Sequence, residues 1–266
     1  MTRLLPLRLA LGLALALTAA PAFADTVLIT GSDKGLGLEF ARQYAAKGWD
    51  VIATARKPDA AKDLKTLAAA NKKVVIEKLD VTSDADIAAL AAKYKGKPID
   101  LLLNNAGILG NLQTSKIGQL TRKDFLEVMD VNVFGSLAVA QALRDNVAMS
   151  KQKKIVAVSS GIGSTTSADR IGPGPYYYRI SKAALDMSMR ALAQDVKAQG
   201  VIVALISPTP ADTDMLATYR KTFGMGTMKS ATPAEAVTKA IPVIDGIDQA
   251  KAAKGMLVAD GNVLPW

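Results

Sequence analysis

Along residues 25–266 the apolar positions fall into two alternating patterns. Short runs rich in Val, Ile and Leu occupy 26–30, 50–55, 73–79, 99–103, 154–159, 201–206 and 255–259. Most lack strict alternation with polar residues, the pattern of strands covered on both faces. Between them, 36–47, 83–95, 125–148 and 181–199 carry apolar residues at helical spacing, as helices with one buried face do. Seven strands alternating with helices predict a parallel α/β sheet with helices on both faces. Right-handed crossovers then make the sheet doubly wound. No repeat, linker or low-complexity tract interrupts the series, so 25–266 reads as one domain.

Composition prunes the chemistry. The 266 residues are 50% hydrophobic and 21% charged, enough apolar material for a sizeable core. The formal net charge is +9, but the lysines are scattered, and the densest group, Lys151 to Lys154, reads as a solvated helix end. No nucleic-acid partner is expected. With no Cys there is no disulfide, thiolate nucleophile or thiolate metal site. With no His the usual triads and commonest zinc sites are gone too, and no metal is expected. A catalyst built here must use Tyr, Lys, Ser, Asp or Glu.

Residues 1–24 read as a signal peptide outside the fold. Arg3 and Arg8 make a basic start, Leu9 to Leu17 is an uncharged apolar run, and Ala22-Phe23-Ala24 is a small-x-small cleavage pattern before Asp25. The run is too short for a comfortable membrane span. Cleavage and export, to a periplasmic or secreted location, are expected, with no stable membrane span left afterwards. An uncleaved anchor, or a misread start on a cytoplasmic enzyme, are the alternatives. Removing Arg3 and Arg8 leaves 31 basic and 24 acidic residues.

In doubly wound sheets ligands bind beyond the carboxyl ends of the strands. After the first run comes Thr30-Gly31-Ser32-Asp33-Lys34-Gly35-Leu36-Gly37, opening directly into a helix. Glycines there permit a tight turn and let backbone approach a pyrophosphate, whose charge a helix N-terminus favours. This is the Rossmann-like position for a dinucleotide. The spacing, Gly-x-x-x-Gly-x-Gly, differs by one residue from the commoner fingerprint.

Three motifs carry a family resemblance: Thr-Gly-x-x-x-Gly-x-Gly, then Asn104-Asn105-Ala106-Gly107 after the fourth run, then Tyr178-x-x-x-Lys182. In this order and at these distances they resemble the short-chain dehydrogenase/reductases, and the resemblance covers essentially all of 25–266. The ending Asp260 to Trp266 resembles the C-factor and sniffer-like carbonyl reductases within that family. The resemblance implies cofactor contacts at Gly31, Ser32, Lys34, Gly35, Leu36, Gly37, Asn104, Ala106 and Gly107. It puts Asp80 and Val81 at the adenine, and Pro208 and Thr213 near the nicotinamide, although Thr209 replaces the glycine usual after that proline. Charge points to NADP(H). The second run ends at Arg56 where an NAD enzyme would offer a carboxylate, and Lys34 is a second cation for the 2′-phosphate.

Tyr178 and Lys182, four apart, share one face of a helix. A free Tyr titrates near ~10, and a nearby ammonium is expected to lower that value toward a useful range. Tyr176 and Tyr177 have no Lys four residues on and are expected to pack or to line the substrate mouth. The resemblance implies that Lys182 also holds the nicotinamide ribose, that Asn132 holds a water linking Lys182 to solvent, and that Ser160 orients the substrate oxygen. Ser160 stands 18 residues before Tyr178, a longer gap than the family's usual one, and Ser164 fits the shorter spacing. Strand-end position favours Ser160. Residues 212–229 are expected to form a flexible lid.

The expected activity is NADP(H)-dependent interconversion of a small-molecule carbonyl and an alcohol, Tyr178 moving the proton. The alternative is an exported nucleotide-binding or signalling protein of the same fold with little turnover. Export and pyridine-nucleotide chemistry sit uneasily together, since free NADPH is not expected outside the cytoplasm. The long helices 125–148 and 181–199 resemble those that pair in the family's dimers and tetramers, implying a homodimer or tetramer.

Overall fold

A computed structural model of the protein describes residues 24–170, 174–224, 226 and 228–265. Apart from Ala24, the leader expectation lies outside the described residues, as does Trp266.

The chain begins with β1 (Thr26–Ile29), α1 (Gly35–Ala46), β2 (Asp50–Ala55), α2 (Lys62–Ala70), β3 (Val74–Lys78), α3 (Asp84–Lys93) and β4 (Leu101–Asn104). It continues with α4 (Arg122–Met129), a π turn (Asp130–Phe134), α5 (Gly135–Ala148), β5 (Lys154–Val158), α6 (Tyr176–Asp195) and β6 (Ile202–Ser207). Last come α7 (Asp214–Phe223), α8 (Pro233–Asp245), α9 (Gln249–Lys254), β7 (Met256–Val258) and β8 (Val263–Leu264). The strand order is β3-β2-β1-β4-β5-β6-β7-β8, parallel through β7. β8 returns antiparallel on β7 through a turn in which Gly261 takes φ +88. This eighth strand is two residues long and was not among the seven expected.

The apolar runs are explained by two cores. Period-two alternation sends Val27 and Ile29 to one face with Phe40 and Tyr44 of α1, Leu64 of α2 and Ile241 of α8. It sends Leu28 to the other, with Leu90 of α3, Leu143 of α5 and Leu185 and Met189 of α6. Because both faces are covered, both sets of alternate positions must be apolar. By length and composition the stretch Arg122–Ala148 could cross a membrane, but Val139, Leu143 and Val147 are buried against the strands, which makes it a core helix. It is not the single helix expected, because the π turn interrupts it at Asn132.

Strand order reverses between β1 and β4, so the loops after these two strands diverge to opposite faces and open a crevice. Every site residue expected from the sequence has to be judged by its place around that crevice.

Candidate active site

The glycine turn is built by close backbone approach. A Cβ at Gly37 would lie 2.1 Å from the Gly31 carbonyl oxygen and 2.5 Å from Asn105 Nδ2. Gly31 itself has φ +66 and rests against Ala106, where a Cβ would meet Ala106 Cα at 3.0 Å. Asn105 donates to the Thr30 and Gly31 carbonyls, both at 3.0 Å, while Thr30 Oγ1 accepts from the Asn105 and Ala106 amides. The turn after β1 and the end of β4 are thereby one unit.

That unit leaves hydrogen-bonding capacity open. Lys34, the N-cap of α1, makes no side-chain cap, whereas Ser83, Thr121, Thr213 and Thr232 cap α3, α4, α7 and α8. The first amides of α1 thus point into the crevice without a side-chain acceptor, the arrangement that attracts a phosphate. Asn104 Oδ1 and Thr54 Oγ1, at the ends of β4 and β2, are buried without a hydrogen-bond partner, a costly state that a ligand would relieve. The residues fit a dinucleotide.

Individual placements refine the expected contacts. Ser32 is fully buried, donates from Oγ to the Ile29 carbonyl at 3.0 Å and from its amide to the Thr54 carbonyl at 2.7 Å. Its side chain shapes the turn. Lys34 is exposed and ion-paired with Asp214 of α7 at 3.0 Å. Arg56 is exposed immediately after β2. Leu36 packs against the core. Asp80 Oδ1 accepts from the Thr82 amide and hydroxyl, and Val81 is buried against Gly135, where a Cβ would approach to 2.8 Å. Pro208 follows β6. Thr213 Oγ1 accepts from the Leu216 amide at 3.3 Å, and its methyl lies beside Gly35.

Beyond β5 the structure brings Tyr178, Ser160 and Lys182 together. The Ser160 hydroxyl stands beside the Tyr178 phenol and pulls its value down. Ser164 instead donates to the Pro265 carbonyl at 2.8 Å, turned toward the chain's end. Lys182 Nζ lies 5.5 Å from the Tyr178 ring centroid and donates to the Val158 carbonyl at 2.7 Å. Gly107 packs between Asn132 and Lys182, where a Cβ would sit 3.3 Å from Asn132 Oδ1 and 3.8 Å from Lys182 Nζ. Asn132 is fully buried, accepts from the Ile108 amide at 2.8 Å and donates to the Ile108 carbonyl and Ser181 Oγ, both at 2.9 Å. Its side-chain amide is held by protein groups on both sides. It clamps the loop after β4 to α6.

The electrostatics reverse one expectation. Burial pushes the Tyr178 phenol up to about 12, and only Ser160 beside it pulls the other way. Lys182 does not offset this: the ammonium sits over the ring face, bonded to a carbonyl, and burial drops its own value to about 8. Desolvation outweighs the lysine's charge, so the phenol is protonated at neutral pH.

Around Tyr178 the walls are apolar. Leu109, Leu112 and Tyr219 are buried there, with Leu216, Phe223 and Met228 packed against them. Within the expected lid lies the helix α7, held by Arg220, which reaches Asp212 Oδ1 at 2.9 Å, Ser230 Oγ at 2.6 Å and the Met228 carbonyl. Tyr177 packs as one alternative had it, its hydroxyl on the Thr121 backbone and its ring edge-on to Phe125 at 5.9 Å. Tyr176 is exposed.

Sequence reasoning assigned no role to Thr30, Asn105, Ser159, Ser181 or Asp186, all of which hold site groups in place. For Thr30 and Asn105 the signal was present, since both belong to the motifs quoted above. For Asp186 none was, because an Asp four residues after a Lys reads as an ordinary surface pair.

The family model for short chain dehydrogenases matches residues 25–223. The 1-hydroxy-2-glutathionyl-2-methyl-3-butene dehydrogenase of Rhodococcus sp. (strain AD45) is 31% identical over 245 residues, 91% of this chain and 100% of its own. The NADPH-dependent pterin aldehyde reductase of Arabidopsis thaliana is 35% identical over 199 residues, 73% of this chain and 77% of its own. Among solved structures, the NADPH-bound carbonyl reductase from chicken fatty liver superposes with TM-score 0.80 at 30% identity, covering 91% of this chain and 99% of its own. This chain belongs to the short-chain dehydrogenase/reductase family of oxidoreductases.

Proposed function

We propose that this chain is an NADP(H)-dependent carbonyl reductase acting on uncharged, apolar carbonyl compounds, with Tyr178 as the proton donor. The observation that carries the reading is the Lys182 ammonium 5.5 Å from the Tyr178 ring centroid, with Ser160 beside the same phenol, across the crevice from the uncapped α1. The bound cofactor would supply the hydride. The phenol, held protonated by burial, gives its proton to the carbonyl oxygen, which Ser160 orients. The lysine's charge then favours the phenolate left behind. Asn132 and Gly107 fix the lysine's surroundings through the loop after β4.

Lys34 and Arg56, with no carboxylate at the end of β2, support NADP(H) over NAD(H). Relatives point the same way: the chicken reductase binds NADPH and the Arabidopsis enzyme is NADPH-dependent. The hydroxyl proton of Thr213 is free for the nicotinamide amide once its oxygen caps α7. Substrate class rests on the walls of Leu109, Leu112, Leu216, Tyr219 and Phe223, which offer a carbonyl compound apolar surface and no ion pair.

The test follows NADPH absorbance with residues 25–266, comparing para-nitrobenzaldehyde with para-carboxybenzaldehyde. Faster consumption with the nitro compound, and with NADPH over NADH, is the expected result. Equal rates on both aldehydes contradict the apolar assignment, and NADPH binding without turnover favours a binding protein. Residues 1–24 are proposed as a cleaved export leader. An exported mature chain beginning at Asp25 supports this, and a cytoplasmic chain retaining Met1 contradicts it.

A further inference from the structure

The site has a layer behind it that the reductase reading does not use. Asp186 lies on α6 one turn beyond Lys182, and both side chains are buried, at 6% and 4% exposure. Ser159 Oγ donates to Asp186 Oδ1 at 2.5 Å. Ser159 itself extends the β5–β6 ladder, its amide bonded to the Ile206 carbonyl at 2.8 Å, and its chain neighbour is Ser160. One carboxylate thus touches the strand end that presents Ser160 and stands one turn from the lysine beneath Tyr178. Burying a carboxylate is expensive without a compensating partner. A neutral residue could accept the same hydrogen bond from Ser159, so the hydrogen bond alone gives no reason for a charge.

The charged surroundings are sparse. β6 and the Gly161–Gly163 turn, which pack on α6, carry no charged residue. On α4, the π turn, α5 and the turn after α6 stand Arg122, Lys123, Asp124, Glu127, Asp130, Arg144, Asp145 and Lys197. On α6 itself stand Arg179, Arg190 and Asp195; of all these charges, that of Lys182 pulls the Asp186 value down and that of Asp186 pushes the Lys182 value up.

We propose that Asp186 is a positioning residue: through Ser159 it fixes the strand end carrying Ser160, and through its charge it holds Lys182 as an ammonium beside Tyr178. This rests on the reductase reading of the site. Burial pushes the Asp186 carboxyl up to about 6, while the Ser159 bond and Lys182 pull it down. Burial lowers Lys182 to about 8, and Asp186 is what keeps it from falling further. Between those two values the carboxylate and ammonium coexist. Below about 6 the carboxyl protonates, and the charge-assisted bond from Ser159 that fixes the strand end carrying Ser160 is weakened.

The experiment measures kcat and KM with NADPH and para-nitrobenzaldehyde from about pH 5 to about pH 9 for the wild type, Asp186→Asn and Ser159→Ala. Asp186→Asn is expected to lose the acid limb near pH 6, and to shift the alkaline limb to lower pH. In kcat this is a loss of about tenfold at about pH 8 but under about threefold at about pH 6, with KM little changed. Ser159→Ala removes a bond that lowers the carboxyl's value, so its acid limb moves up in pH. Melting temperature gives a readout apart from turnover. The folded-state value of Asp186 is raised, so wild type loses stability relative to Asp186→Asn as pH rises from 3.8 through about 6.

A pH profile of Asp186→Asn parallel to wild type, whether lower or equal, overturns the inference and leaves the reductase reading standing. A wild type that binds NADPH yet never turns over removes both. Should Asp186→Asn not fold, an unmoved acid limb in Ser159→Ala overturns the proposal on its own.

Discussion

At one end of the crevice the protein meets its ligand with backbone, and at the other with buried side chains. The turn after β1 leaves the amides of α1 open and Asn104 Oδ1 unpartnered. Beyond β5, Lys182 and Asp186 are packed away from water and each has a protein partner, and Tyr178 stands half-buried beside the lysine. The first end stores unsatisfied hydrogen bonds, which a dinucleotide completes. The second stores desolvated charge, which holds a phenol protonated and an ammonium close to neutrality. On the proposed reading the open end recognises the cofactor and the closed end moves the proton.

The contrast can be broken at either end. The largest expected effect short of removing the phenol is at Lys182. Lys182→Met is expected to lower kcat about a hundredfold, yet to stabilise the fold. The folded-state value of Lys182 is depressed to about 8 from 10.5, so the ammonium is penalised at all pH values below about 8. The variant sheds that penalty, so its stability relative to wild type is greatest at neutral pH, the gap closing as pH rises from about 8 toward 10.5. Denaturant melts at two pH values check this. A destabilised Lys182→Met at neutral pH would mean that the lysine is a net structural contact.

Gly37→Ala attacks the open end. Its Cβ would overlap the Gly31 carbonyl at 2.1 Å, so the turn must spread. The expected result is loss of NADPH binding by more than about tenfold with a stability cost of about 1–3 kcal/mol. Nucleotide fluorescence titration and thermal melting report the two separately. Smaller still is the charge at the ribose. Arg56→Glu should weaken NADPH by about tenfold to a hundredfold and narrow its advantage over NADH, without touching stability. The least effect belongs to Lys34→Ala on the melting temperature. Its ion pair with Asp214 is exposed at 68% and 82%, so under about 1 kcal/mol is expected, while NADPH affinity should still fall.

The two ends also differ in how far they could be read from the chain. The open end was legible because it depends on spacing. Three glycines between a buried strand and a helix define a turn wherever they occur, and the Asn-Asn-Ala-Gly run after β4 supplies its neighbour. Tyr178, Lys182 and the strand-end Ser160 were legible for the same reason. What escaped depends on burial, which no spacing encodes. The Lys182–Asp186 pair has the pattern of a solvated helix pair, and only α6 lying against β5 and β6 turns it inward. The raised value of Tyr178 escaped likewise, since a charge argument without desolvation has the wrong sign. The π turn at Asn132 is one extra residue in an apolar helix, too small a change of period to see. β8 is two residues long and exists only because Gly261 lets the chain fold back on β7.

The most direct test of the central claim is Tyr178→Phe, assayed for NADPH oxidation with para-nitrobenzaldehyde alongside NADPH binding in the same samples. Removing the phenol oxygen takes away the proton donor and leaves the glycine turn intact. A fall in kcat of about a thousandfold or more, with NADPH affinity unchanged, is the predicted result. Turnover within about tenfold of wild type would contradict the assignment of Tyr178 as the acid.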